Sequence, residues 1–158
     1  MQLSGSEMFH VPTAEIWCRL VDMDFMSRMI PNMERIDEVE LDHFTCRVRP
    51  RLSFFSGKVT LRFEIRRCEP PHRLLVSVHG KGMGGAVTVD IELNLEDKDS
   101  GSVIGWNGIV SHKEGLFRPV GDGLISAAAT RIAGELWATF RDASTSHPSP
   151  TPTPGGGA

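Results

Sequence analysis

Between Pro119 and Arg141 the chain carries its most extended amphipathic pattern. Leu124, Ala128, Ile132, Leu136 and Phe140 recur every fourth residue, with Ile125, Ala129, Ala133 and Trp137 in an adjacent row. This spacing predicts a helix with one broad apolar face, roughly 34 Å long at ~1.5 Å per residue. Each large apolar side chain on that face is worth about 1.5–3 kcal/mol when fully buried. The helix therefore needs a wide apolar partner, and a sheet is the only candidate upstream. Small residues (Ser126, Ala127, Ala128, Ala129) crowd its first half, whereas Leu136, Trp137 and Phe140 fill its second. One end should seal tightly and the other leave room.

The upstream pattern supplies such a sheet. Residues 2–10 read as a first strand at an edge. Val11-Pro-Thr-Ala-Glu-Ile-Trp17 then opens a short helix, with proline in its first turn and Thr13 as its cap. Asp22 caps a second helix, which runs to about Met29 and is stopped by Pro31. From Arg35 the period changes to two. Phe44, Cys46 and Val48 form one buried row; Val59, Leu61, Phe63 and Ile65 form the next, and Leu74, Val76 and Val78 a third. Val87 to Leu95 alternate in the same way, and Ile104, Trp106 and Val110 make a last inward row. The order predicts an α+β domain: a curved antiparallel sheet of about six or seven strands wrapped around one long C-terminal helix, its other face open to water.

That domain occupies residues 1–142, a size that supports a full hydrophobic core. Residues 143–158 are rich in Pro, Thr, Ser and Gly and read as a disordered tail or a linker toward a segment that once followed. The net charge is −3, with no basic block to suggest nucleic acid or an anionic membrane surface. Cys18, Cys46 and Cys68 are widely spaced and make no C-x-x-C pair, which reads as reduced thiols in the cytoplasm. No run is long and apolar enough to span a bilayer.

Motifs of chemistry are scarce. Gly80-Lys-Gly-Met-Gly-Gly85 matches G-x-G-x-x-G, but a strand follows it where a phosphate site needs a helix, so it reads as a hairpin turn. The six histidines form no ligand cluster, so no metal site is expected. Glu64, Asp90 and Glu92 lie on the outward parity and are read as solvated, so no catalytic residue is assigned. Met23, Met26, Met29 and Met33 recur every three or four residues, and Met83 sits at the tip of the glycine turn. They read either as core filler or as a pliable lip over a cavity. Inside such a cavity the polar handles would be Ser53, the Trp106 indole N–H and Asn107, the last only if a bulge corrects its parity.

Val11-Pro-Thr-Ala-Glu-Ile-Trp17, Leu20-Val-Asp22, Ile30-Pro31, Phe55-Ser-Gly-Lys-Val-Thr-Leu61, Gly80-Lys-Gly82 and Phe117-Arg-Pro-Val-Gly121 are short pieces, but their order and spacing are specific. With them the chain resembles, over about residues 2–141, the carbon monoxide dehydrogenase G-subunit family of the START/Bet v 1-like (SRPBCC) superfamily, which has the helix-grip fold. The resemblance implies a non-enzymatic accessory protein of a molybdenum-containing hydroxylase such as CO dehydrogenase. It implies a lipophilic ligand, a menaquinone or ubiquinone, with no built-in cofactor, and electrons passed toward the respiratory chain. It also implies peripheral contact with the inner face of the cytoplasmic membrane, made through a C-terminal segment missing after the linker. An apolar groove between sheet and helix suits such a guest. Phe54, Phe55, Phe63, Val89, Ile91, Trp106, Phe117, Leu124 and Ala128 are expected to line it, with Met26 and Met29 at its mouth. The competing expectations are an enzyme of the polyketide cyclase/dehydratase kind, which needs an inward acid/base pair, and an assembly module with a solid core.

Overall fold

The computed structural model describes residues 2–52 and 57–146. Strand β1 (Gln2–Phe9) leads into helices α1 (Thr13–Leu20) and α2 (Met23–Ser27). Six more strands follow: β2 (Met33–Val39), β3 (His43–Val48), β4 (Val59–Glu69), β5 (Arg73–Gly82), β6 (Gly85–Lys98) and β7 (Gly101–Gly115). Helix α3 (Asp122–Ser146) closes the described chain. All pairings are antiparallel, in the order β1-β7-β6-β5-β4-β3-β2, so β1 and β2 are the edges.

Alternation places the core. Phe44, Cys46 and Val48 are buried on β3, Val59 and Phe63 on β4, Leu74 and Val76 on β5, and Leu93 and Leu95 on β6. The neighbouring residues of opposite parity face water, where Arg73 Nε donates to Glu92 Oε2 at 2.6 Å and Arg47 Nε to Asp37 Oδ2 at 3.3 Å. Burial pushes the Cys46 thiol up to about 11, so it stays neutral as an ordinary core residue. The β5–β6 hairpin turns on Met83 and Gly84, with φ of 46° and 80°, the two positive values that a two-residue turn of the right hand requires. Both sides of the G-x-G-x-x-G segment are therefore strand, and no helix N-terminus meets it.

Four local details differ from the sequence reading. Pro12, not Thr13, stands at the N-cap of α1, and no side chain caps it. The Thr13 N–H is instead taken by Asp97 Oδ1 at 3.1 Å, from the β6–β7 end of the sheet. Asp22 does cap α2, accepting from the Phe25 N–H at 3.1 Å, but the helix ends at Ser27, two residues short of Met29. The third difference is at the chain's end, where α3 begins at Asp122 and runs to Ser146, past the Asp142 boundary that composition suggested. Ala143 packs against the core and Ser144 is buried, and the first helix breaker is Pro148.

The fourth concerns which side of α3 is buried. Ile125, Trp137 and Phe140 are inside, whereas Leu124 is 49% exposed. Each four-residue step overshoots a full helical turn by about 40°, so the row from Leu124 to Phe140 rotates by roughly 160° along its length. A row that buries Phe140 must lift Leu124 out.

Candidate ligand cavity

The second half of α3 is sealed onto the domain by rings. Phe140 meets Phe9, Phe25 and Trp137 edge-on, at centroid distances of 5.5, 5.7 and 5.5 Å. Arg141 locks this end: its guanidinium lies 4.9 Å from the Phe9 ring centroid and donates to Glu7 Oε1 at 2.9 Å and to the Met8 carbonyl at 3.2 Å. The first half has no such rings. There α3 and the concave sheet face enclose a cavity of about 290 Å³.

Every described residue lining this space is apolar or glycine. The floor comes from the inward rows of β4, β5 and β6, including Phe63, Val76, Val89 and Ile91. The roof is the α3 face that carries Ile125, Ala128, Ala129, Ile132 and Leu136. Trp137 also borders it, as do Pro31, Pro50 and Leu52 from the α2–β2 and β3–β4 connections. The void exists because alanines stand where the other half of the helix has rings. A methyl group cannot span the gap that an indole or a phenyl closes.

Of the residues expected to line the groove, Met26, Phe63, Val89, Ile91, Trp106, Phe117 and Ala128 are brought together around it. Leu124 is not, for the rotational reason above. Met26 is buried and borders the cavity, whereas Met23 and Met29 are buried and do not border it. All three belong to the one hydrophobic core. Phe54, Phe55 and Ser53 lie outside the described residues.

The polar handles fare differently. Asn107 pairs with Glu92 and Ser4 on the outward parity, with no bulge beside it, so it faces water. Trp106 does line the cavity, but its indole lies flat over Gly5, where a Cβ would come within 2.7 Å of Nε1. That N–H is buried with no hydrogen-bond partner among the described residues. Ile125, Ala129 and Leu3 were missed as lining residues. The first two stood in the second helical row, and Leu3 had the correct strand parity.

The outward carboxylates are engaged elsewhere. Asp90 accepts from the Ser77 hydroxyl at 2.6 Å, and this bond holds its carboxyl below the usual range; the Arg73 guanidinium does the same for Glu92. Both are ionised and point away from the cavity, the reverse of what an inward general acid requires. Among the described residues no group of three His, Cys, Asp or Glu side chains could hold a metal ion. No described helix is long and apolar enough to cross a membrane.

Against known families, the sequence pattern of the G subunit of carbon monoxide dehydrogenase (CoxG) matches residues 5–144, from the middle of β1 to the end of α3. The chain belongs to the CoxG family. The solved structures it resembles show the same architecture. A conserved protein from Geobacillus kaustophilus superposes with a TM-score of 0.82 at 16% identity, covering 93% of this chain and 97% of that one. TTHA0849 from Thermus thermophilus gives 0.68 at 9% identity, covering 94% and 100%. Ara h 8.0201 gives 0.67 at 13% identity, covering 92% and 98%. Identities this low speak for the fold alone, which is the helix-grip of the START/Bet v 1-like superfamily. No curated protein sequence matches the chain. CoxG membership points to an accessory role beside carbon monoxide dehydrogenase.

Proposed function

We propose that this CoxG-family protein is a non-enzymatic carrier that holds a lipophilic molecule, a prenylated quinone such as menaquinone or ubiquinone, for a molybdenum-containing CO dehydrogenase. In this reading it brings enzyme and quinone together at the cytoplasmic membrane and so aids electron delivery to the respiratory chain. The observation that carries it is the uniformly apolar lining of the space under α3. Removing an aliphatic chain from water into such a lining gains about 25 cal/mol per Å² of apolar surface. Apart from the buried Trp106 indole N–H, the described lining residues bring no polar side-chain group, which suits a guest recognised by shape and hydrophobicity.

Size refines the reading. A cavity of about 290 Å³ sits at the lower limit of the about 300–1,000 Å³ usual for small-molecule sites. It holds the head-proximal prenyl units of a quinone and leaves a longer tail outside. The test is organic extraction of the purified full chain followed by mass spectrometry, together with titration by decylubiquinone read through tryptophan quenching. A co-purifying prenylated quinone and saturable quenching are expected. A protein that comes out empty and does not bind decylubiquinone overturns the carrier reading.

A further inference from the structure

One strand irregularity turns a lysine onto the sheet face that carries the cavity wall, next to a lining residue. Along β7 the inward row is Ile104, Trp106, Gly108 and Val110, so continued alternation would turn His112 inward and Lys113 to water. The β6–β7 register shifts between Thr88 and Val89, because Thr88 faces His112 whereas Val89 faces Val110. Ser111 is the extra residue, and past it the parity of β7 is reversed. Lys113 now stands opposite Val87, a residue of the cavity wall, and so shares its face. Beside it Phe117, also in the wall, lies over Gly85, where a Cβ would come within 2.6 Å of the ring.

The Lys113 side chain is 23% exposed and reaches along the rim to the start of α3. Its ammonium donates to the Val120 carbonyl and to Asp122 Oδ1, each at 3.2 Å. An ammonium has three N–H donors, so two bonds leave one over. Among the described lining residues the Trp106 indole N–H, packed over Gly5, is the one polar side-chain group, so a guest with a polar head finds little inside to satisfy it, and burying an oxygen unbonded is costly. The head is better placed outside the apolar space, and Lys113 stands beside two residues of its wall, Val87 and Phe117.

Resting on the carrier reading above, we propose that Lys113 is the head-group contact of the cavity: the ligand is an aliphatic chain with an oxygen-bearing head, a carbonyl or carboxylate, seated chain inward with that oxygen accepting from the Lys113 ammonium. Lys113 thereby selects oxygen-headed amphiphiles over plain hydrocarbons of the same girth.

The test compares two probes on the full chain: decylubiquinone, which carries carbonyl oxygens, and diphenylhexatriene, which has no polar atom. Lys113→Met should weaken decylubiquinone about tenfold, the scale of a hydrogen bond to a charged group, and leave diphenylhexatriene unchanged. Lys113→Arg should restore most of the loss, and Asp122→Asn, which frees the ammonium, should not weaken decylubiquinone. Equal losses for both probes in Lys113→Met would mean that the lysine only pins α3, and no loss for either would mean that it touches no ligand; each result overturns the assignment. Wild-type protein that takes up diphenylhexatriene alone also overturns it while sparing the cavity, whereas protein that takes up neither probe sinks the carrier reading and this one with it.

Discussion

The two halves of α3 lie over the same sheet and behave oppositely. From Trp137 to Ser144 the helix is cemented by rings and by Arg141, whereas from Ile125 to Ala133 it bridges a space that its own methyl groups are too short to fill. One helix thus combines a packed end with an open end. The difference lies in side-chain volume along its apolar face, because both halves are helical throughout. Stability and binding should therefore separate along its length.

The largest test of that separation is Phe140→Ala. Phe140 is fully buried among three rings, and its loss should cost about 3–5 kcal/mol in chemical denaturation. Ala128→Phe, in the other half, should do the opposite. A ring added to a packed core costs about 1–3 kcal/mol, but here it enters existing space, so the unfolding free energy should move by less than about 1 kcal/mol while decylubiquinone binding falls more than about tenfold. A large stability loss from Ala128→Phe, or unchanged binding, would erase the contrast. Leu124→Ala sharpens it further: this leucine is half exposed, and the change should stay within about 0.5 kcal/mol.

The smallest effect serves as a control from outside both halves. His43 sits on the β2–β3 surface with Asp42 Oδ1 at 2.8 Å and Glu38 Oε1 at 3.2 Å. The Asp42 carboxylate raises its pKa above 6.5; burial opposes it with the next largest effect, and Glu38 adds a smaller push upward. The folded state thus favours the imidazolium. Its stabilisation is complete below the unfolded value and is lost as pH rises through the higher folded value. The gap in thermal midpoint between wild type and His43→Gln should close as pH is raised from about 6 to about 8, with decylubiquinone affinity unaffected. Affinity that tracks this titration would show that the surface and the cavity are coupled.

Much of the architecture was legible because it is written locally. The rows Phe44-Cys46-Val48 and Leu74-Val76-Val78 alternate with polar neighbours, and a period of two can serve only a half-buried strand. The glycine turn was legible for a similar reason, since Met83-Gly84 between two alternating runs leaves little but a hairpin. The small-to-large gradient along α3 also foretold which end would be open. What escaped was non-local. Nothing around Ser111 marks it as the bulged residue, so the inward turn of Lys113 depends on pairing with β6 that no single strand encodes. The methionines of α2 carry the same letters whether they border a cavity, as Met26 does, or sit in the core away from it, as Met23 does, and only the fold separates the two. Leu124 failed for a geometric reason, because a row spaced by four drifts around the helix. Trp106 was placed on the correct wall, yet the resting place of its N–H depended on a glycine far earlier in the chain, Gly5 on the neighbouring strand.

Among the described residues no main-chain hydrogen bond ties α3 to any strand; the two layers meet through side chains and through Arg141 and Lys113. A shift of the first half of the helix would consequently break side-chain packing alone, without unzipping a ladder or uncoiling a turn. On the carrier reading proposed above, a guest could then enter and leave at the cost of contacts between methyl groups, with the hydrogen-bonded frame of the domain left intact.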